Sequence, residues 1–302
     1  MRNGVSPSVV ALPAGPWPTV LDFLTERLPA VSRAQWIQRL QAREVLHEDG
    51  LPVSEHEKFS HGQRLYYYRH LTQEPGLPEH EALLFEDDHL LVVDKPHFMP
   101  VTPTGRYVQQ SLLVRLKRAT ACDGLSPIHR IDRETAGLVL LSKRPQERNA
   151  YQALFREKRV HKVYEAVATH QPGLGLPRVY RSRLEEDTLF FRMQEVAGVP
   201  NSETGVALLH AENGRALYGL RPVTGKRHQL RVHMMALGVP IEGDQFYPEV
   251  LRGPDEPEDF AHPLQLLARE IAFTDPVTGK PRRFVSQRLL SLAAQHPPVI
   301  TL

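Results

Sequence analysis

Residues 129–141, His-Arg-Ile-Asp-Arg-Glu-Thr-Ala-Gly-Leu-Val-Leu-Leu, set one short carboxylate, Asp132, between Arg130 and Arg133. Flanking cations favour its ionised form. The Thr135-Ala136-Gly137 turn then runs into an apolar strand, so the loop has a rigid element behind it. The chemistry on offer is that of an ionised carboxylate set among cations, to which a polyanion can be delivered. A plain salt-bridged turn is the alternative reading of the same residues.

Other site types are set aside by what is missing. The chain has no GxGxxG, no P-loop, no HExxH and no GxSxG elbow. His228 and His233 do not share a helical face, which argues for packed or hydrogen-bonded histidines over a metal pair. Asp132 and Glu134 lie two apart on a loop, with nothing to show that they flank one bond as a glycosidase pair does. The expectation is chemistry without cofactor or metal, using an Asp, an Arg and an aromatic. A helix from Lys226 to Leu237 would put Arg227, His228 and Arg231 on one side and Leu230, Met234 and Leu237 on the next. An arginine there either looks into a cleft, where it would hold Asp132 ionised, or is a surface charge.

These residues need elements to hold them. Leu90–Val93 reads as a buried strand leading to Asp94-Lys95-Pro96, Ser111–Arg118 as a helix and Gly137–Ser142 as a strand. Pro145–Lys158 reads as a helix with Tyr151, Leu154 and Phe155 inward, and Val160–Thr169 as a strand. Asn213-Gly214 joins two strands as a hairpin, and Thr224-Gly225 opens a helix that Gly238 closes. Strands paired by hairpins, with few alternating helices, predict an α+β fold with a mainly antiparallel mixed sheet and an active-site cleft. Ahead of it, helices near Val20 and after Ser32, an Asp49-Gly50 hairpin and a strand at Leu65–Tyr68 predict a small α/β module. The expected organisation is a first domain at 1–72, loose over 1–16, a linker at 73–81 and a second domain at 82–302.

The bulk numbers fit. The 302 residues are 41% hydrophobic and 24% charged, with a net charge of +2, typical of a globular chain with a real core. The single cysteine, Cys122, suggests a reducing, cytoplasmic setting, and no stretch reads as a signal peptide or membrane span. Between Pro100 and Glu165 bases outnumber acids, which suits either a localised anion-binding face or an Arg-rich solvated surface.

The 129–138 segment resembles the His-Arg-Leu-Asp-Arg-x-Thr-Ser-Gly-Leu signature of the RluA-type RNA pseudouridine synthases. Val92-Val93-Asp94-Lys95-Pro96, His161-Lys162-Val163-Tyr164-Glu165-Ala166, and Arg221–His233 followed by Leu237–Ile241 and Gly243-Asp244 resemble the family's further motifs, in its order. The match spans about Leu83 to Phe284. Residues 19–70 resemble, more weakly, the small alpha-L RNA-binding domain often fused ahead of these enzymes. Departures are Ile131 for Leu, Ala136 for Ser, Lys226-Arg227 for Arg-Thr, Leu266–Arg269 where Leu-His-Ala is common, and no Gly after Lys95-Pro96-His97. No site role was assigned to the 266–269 stretch.

The resemblance implies isomerisation of uridine to pseudouridine in ribosomal or transfer RNA. Asp132 would be the catalytic carboxylate, acting as nucleophile on carbon 1′ or base on carbon 2′, with Arg231 as its ion-pair partner and Tyr164 stacked on the flipped uracil. Arg130, Lys95, Arg106, His129 and Arg227 would contact RNA, His129 by orienting the loop. No cofactor and no metal are implied; RNA is the partner, and the chain is expected to act as a monomer. A non-catalytic RNA-binding factor and an RNA N-glycosidase are the rival readings. The first has no need of the carboxylate, and the second needs a placed water and a further acid.

Overall fold

The computed structural model describes residues 3–68, 74–253 and 256–293. The chain divides into two compact units, Met1–Glu74 and Pro75–Leu302. The start of the expected linker, Gln73, lies outside the described residues.

The first unit holds strand β1 (Ser8–Ala11), helices α1 (Val20–Arg27) and α2 (Arg33–Gln41), and strands β2 (Val45–Leu46) and β3 (Arg64–Tyr67). Helix α1 starts where Thr19 caps the Asp22 amide, and α2 where Ser32 and Gln35 form a reciprocal capping box. Their apolar stripes, Leu21, Phe23 and Leu24 with Trp36 and Leu40, bury against Val45 and Leu65. Two expectations change. The stretch from 1 to 16 is not loose throughout, because Ser8–Ala11 pairs antiparallel with β3. The Asp49-Gly50 turn forms, with the His47 amide donating to the Leu51 carbonyl, but its far arm is only a bridge at Pro52. Pro52 has no N–H to extend a ladder, so β2 pairs with β3 instead.

The second unit is built on one large sheet. Its strands are β4 (Ala82–Glu86), β5 (Leu90–Lys95), β6 (Ser126–Pro127), β7 (Ala136–Ser142), β8 (His161–Thr169), β9 (Arg178–Glu186), β10 (Met193–Val196), β11 (Ser202–Glu212), β12 (Arg215–Pro222), β13 (Leu266–Thr274) and β14 (Pro281–Val285). Helices α3 (Leu112–Thr120), α4 (Arg148–Arg156) and α5 (Gln229–Ala236) pack on it. The path runs β10-β9-β11-β12-β8-β13-β7-β5-β4, with β14 on β13 and β6 on β7. Every pairing is antiparallel except β13 with β7, so the mixed, mainly antiparallel α+β sheet is as expected.

Strands β5 and β7 are buried along their whole length, which explains their unbroken apolar runs. Their side chains alternate between two cores. Leu90, Val92, Leu138 and Leu140 meet Tyr151 and Leu154 of α4; Leu91, Val93, Val139 and Leu141 meet Leu112 and Leu116 of α3. Helix α5 packs Leu230, Met234 and Leu237 onto Ala166 and Ala168 of β8 and Tyr218 of β12. The 129–135 loop thus leads straight into a strand buried along its whole length.

Candidate active site

Gly137 has φ +111°, and a Cβ there would lie 2.3 Å from the Ala268 carbonyl oxygen. Only glycine allows β7 this close to β13. Ala268 is the register partner of Gly137 on one side and of Tyr164 on the other. The sheet therefore carries the Asp132 loop and the Tyr164 side chain to the same end, with one small residue between them. The 266–269 stretch, given no role from sequence, sets this spacing, and Leu266 lines the site.

Asp132, Tyr164 and Arg231 line one hollow of about 110 Å³ together with Arg130, Lys162 and His228. The hollow shares Asp132, Tyr164 and Lys162 with a wider groove of about 1060 Å³ reached by His129, Arg156 and Arg227. A groove of that size is at the top of the small-molecule range and suits a longer ligand.

The loop backbone is held from behind. Lys95 Nζ donates to the carbonyls of Pro96 at 2.9 Å and Arg133 at 3.1 Å, and the Thr135 amide closes the turn onto the Asp132 carbonyl at 3.2 Å. His97 Nδ1 lies 2.6 Å from the Glu134 carbonyl oxygen. Lys95 is fully buried, which pushes its ammonium down to about 7 against the pull of Glu134 and Asp132. This corrects its expected role: a lysine with no exposed surface positions the loop and cannot meet a phosphate. His129 stacks on Phe155 at 4.7 Å and accepts from the Leu140 amide at 3.2 Å, as a loop-orienting residue would. Burial and Lys162 bring its pKa down to about 3, so the ring is neutral.

Arg106 is half-buried and engaged within the protein. Its guanidinium donates to Glu258 at 2.9 Å and to the Glu256 carbonyl. Arg133 reaches the same Glu258 oxygen at 2.9 Å. Glu258 thus joins Arg106 to Arg133 of the loop.

Arg231 sits on α5, which starts at Gln229, later than expected. Gln229 folds back, its Oε1 accepting from Thr224 Oγ1 and the Lys226 amide, so Thr224–Lys226 form a capped turn and His228 adopts a left-handed φ of 52° as N-cap. Arg227 therefore lies outside the helix and does not share a side with Arg231. It is exposed, and its guanidinium donates to the carbonyls of Phe190 and Arg192.

Arg231 forks onto Asp244, with Nε to Oδ2 at 2.8 Å and Nη2 to Oδ1 at 2.6 Å. Its Nη1 is buried with no hydrogen-bond partner, 3.7 Å from Asp132 Oδ2 and 3.8 Å from Glu134 Oε2. The expected ion pair with Asp132 is long, and the close partner is Asp244. Asp244 is itself aimed by the amides of Phe246 and Tyr247, whose rings stack on the guanidinium at 5.0 and 5.3 Å. Burial opposes the charge on Arg231, but Asp244, Glu134 and Asp132 together raise its pKa above the ordinary value. Burial likewise pushes Glu134 up, and Arg133 and Arg231 outweigh it, so Glu134 stays ionised. His228 Nε2 is 3.9 Å from Asp132 Oδ2, its Nδ1 is 3.0 Å from the Tyr247 hydroxyl, and burial lowers its pKa. Burial and then the Asp132 charge raise the Tyr164 phenol, which stays neutral. Asp244, Tyr247 and Lys162 carry no site role in the sequence reading, and Glu134 enters it only as a discarded glycosidase partner of Asp132. Glu134 and Asp244 stand inside the quoted motifs, but only folding shows that they converge on one arginine. Among the described residues no cluster of three or more His, Cys, Asp or Glu can hold a metal ion, and no helix is long and apolar enough to cross a membrane.

This sheet is shared with solved pseudouridylate synthases. The human RNA pseudouridylate synthase domain containing 1 superposes with a TM-score of 0.56 at 23% identity, over 72% of this chain and 86% of that one. Residues 89–236 match the family model described as RNA pseudouridylate synthase. Dual-specificity RNA pseudouridine synthase RluA of Salmonella typhi is 32% identical over 223 residues, covering 70% of this chain and 93% of the relative. That of Escherichia coli is 30% identical over 221 residues, with the same coverage. An uncharacterised RNA pseudouridine synthase of Synechocystis is 27% identical over 243 residues, covering 76% of this chain and 79% of the relative. These place the protein among the isomerases that act on RNA. Within that class, the chain belongs to the RluA-type pseudouridine synthases.

Proposed function

We propose that the chain isomerises specific uridines of ribosomal or transfer RNA, with Asp132 as the catalytic carboxylate, Arg231 as its charge partner and Tyr164 as the ring on which uracil stacks. The observation that carries this is the buried Arg231 Nη1, unpartnered and 3.7 Å from Asp132 Oδ2.

In the reaction the N1–C1′ bond breaks, the base turns, and a C5–C1′ bond forms. C5 loses its proton and N1 gains one, so no electrons or water are exchanged. Asp132 either attacks C1′ to give a ribosyl ester, or takes the C2′ proton to give a glycal. Both routes need the carboxylate against the ribose, with the guanidinium of Arg231 3.7 Å from it. A neutral Tyr164 phenol suits stacking and hydrogen bonding better than action as a phenolate base.

The uridine reaches Asp132 only by leaving its stack, at a cost of a few kcal/mol. Arg130, exposed at the mouth, fills the gap or holds the phosphate, His129 orients the loop, and Arg227 stands at the rim. Lys162, half-buried beside Asp132, joins them as a cation facing the substrate. The first unit adds RNA contacts, as its resemblance to an alpha-L domain implies, and the protein acts as a cytoplasmic monomer.

The test is uridine isomerisation mapped across cellular RNA in the wild type, a deletion and an Asp132→Asn strain. Sites lost in the deletion should stay lost in Asp132→Asn. Their return would remove the carboxylate from the mechanism, and release of free uracil would point to a glycosidase.

A further inference from the structure

The cleft has an aromatic outpost that the reaction at Asp132 does not use. Between β9 and β10 the chain turns at Asp187–Arg192, and Phe190 at its tip is 75% exposed. Asp187 pins the turn through the Leu189 amide and an ion pair with Arg192 at 3.6 Å. The neighbouring Phe191 faces inward and packs on Phe246 at 5.1 Å, and Phe246 in turn lies over Arg231. Across the rim, Arg227 lines the groove that contains Asp132 and donates to the Phe190 carbonyl at 2.6 Å. The arginine that departs from the family pattern is thus spent on the backbone of this turn.

We infer that Phe190 is a stacking platform for an unpaired base of the RNA flanking the target uridine, held at the groove rim by Arg227. A single exposed apolar residue needs no explanation by itself. This one is tied through its carbonyl to the exposed Arg227, which lines the Asp132 groove, and through its neighbour Phe191 to Phe246. Every base offers a π-face, so a fixed ring among cations binds single strands with little regard to sequence. The inference rests on the Asp132 groove being the site of reaction.

Tritium release from [5-³H]uridine-labelled total RNA of a deletion strain gives kcat and KM. Phe190→Ala should raise KM roughly ten-fold, the loss of one base stack, with kcat within about two-fold. Phe190→Trp should restore KM, and its added fluorescence should be quenched by a short oligouridylate. Arg227→Thr should shift KM in the same direction as Phe190→Ala, and the two together should add little. A wild-type KM for Phe190→Ala, or no quenching in Phe190→Trp, overturns the proposal. So does a change in the oligomeric state of the free Phe190→Ala protein, which would show the ring covered by a second copy. Asp132→Asn reports separately: in Asp132→Asn/Phe190→Trp turnover should vanish while quenching remains. Turnover that survives Asp132→Asn removes the catalytic reading and leaves the quenching to decide the stack.

Discussion

On the floor of the cleft Arg231 is 1% exposed and forks onto an equally buried Asp244. On the rim Arg130 and Lys226 stand in solvent, with no side-chain partner among the described residues. The same kind of charge serves opposite ends in the two places. Floor charges are desolvated, so each must be matched by hydrogen bonds and stacked rings, and the result is a geometry set before any ligand arrives. Rim charges keep their water and are free to exchange it for phosphates. Floor changes should therefore cost stability and turnover together, and rim changes should cost affinity alone.

The largest effect on this contrast is expected from Arg231→Met. It strands Asp244 as a buried carboxylate held only by two backbone amides, and breaking a buried pair this way costs about 3–5 kcal/mol. Urea unfolding should show that loss alongside lost turnover. Arg231→Lys, a point charge in place of a fork, should recover only part of either. A methionine variant within about 1 kcal/mol of wild type would mean that the floor is not a preorganised network of matched charges.

A middle effect concerns pH. His233, behind the floor on α5, meets only Ser182, Ser202 and Thr204 hydroxyls and the Tyr180 ring, and burial lowers its pKa from 6.5 to about 4. Below pH 6.5 the unfolded chain takes up the proton and the folded one does not. The stabilisation is thus complete above 6.5 and drains away as pH falls towards about 4. His97, lowered to about 4, and His129, lowered to about 3, add to the same window. Denaturant melts of His233→Asn across this range should show a pH slope shallower by up to about one proton. An unchanged slope would show that His233 already titrates normally.

The smallest effects on folding belong to the rim. Arg130→Ala and Lys226→Ala should leave unfolding free energy within about 0.5 kcal/mol of wild type. Each should lower the slope of log affinity for RNA against log salt by about one. A loss of stability would move that residue from rim to floor.

Much of this was legible in the chain because it depends on local rules. The cap at Ser32, the Asn213-Gly214 turn and the continuous apolar runs of β5 and β7 follow from neighbours in sequence. The start of α5 was misread because Gln229, not Thr224, caps the turn, a choice made by contacts to Glu203 and Thr204 on β11. Lys95 was misread because a charge alone does not reveal whether it is solvated.

By itself the sequence determined the family, the mixed antiparallel sheet and the presence of Asp132, Tyr164 and Arg231, since ordered motifs and strand patterns are written residue by residue. Only the tertiary structure decided how they meet. Ala268 spaces Gly137 from Tyr164, Asp244 takes the close ion pair with Arg231 expected of Asp132, and Arg227 at the groove rim bonds the Phe190 turn. Those outcomes depend on distances between segments far apart in the chain and on which charges lose their water, quantities that exist only once the chain has folded.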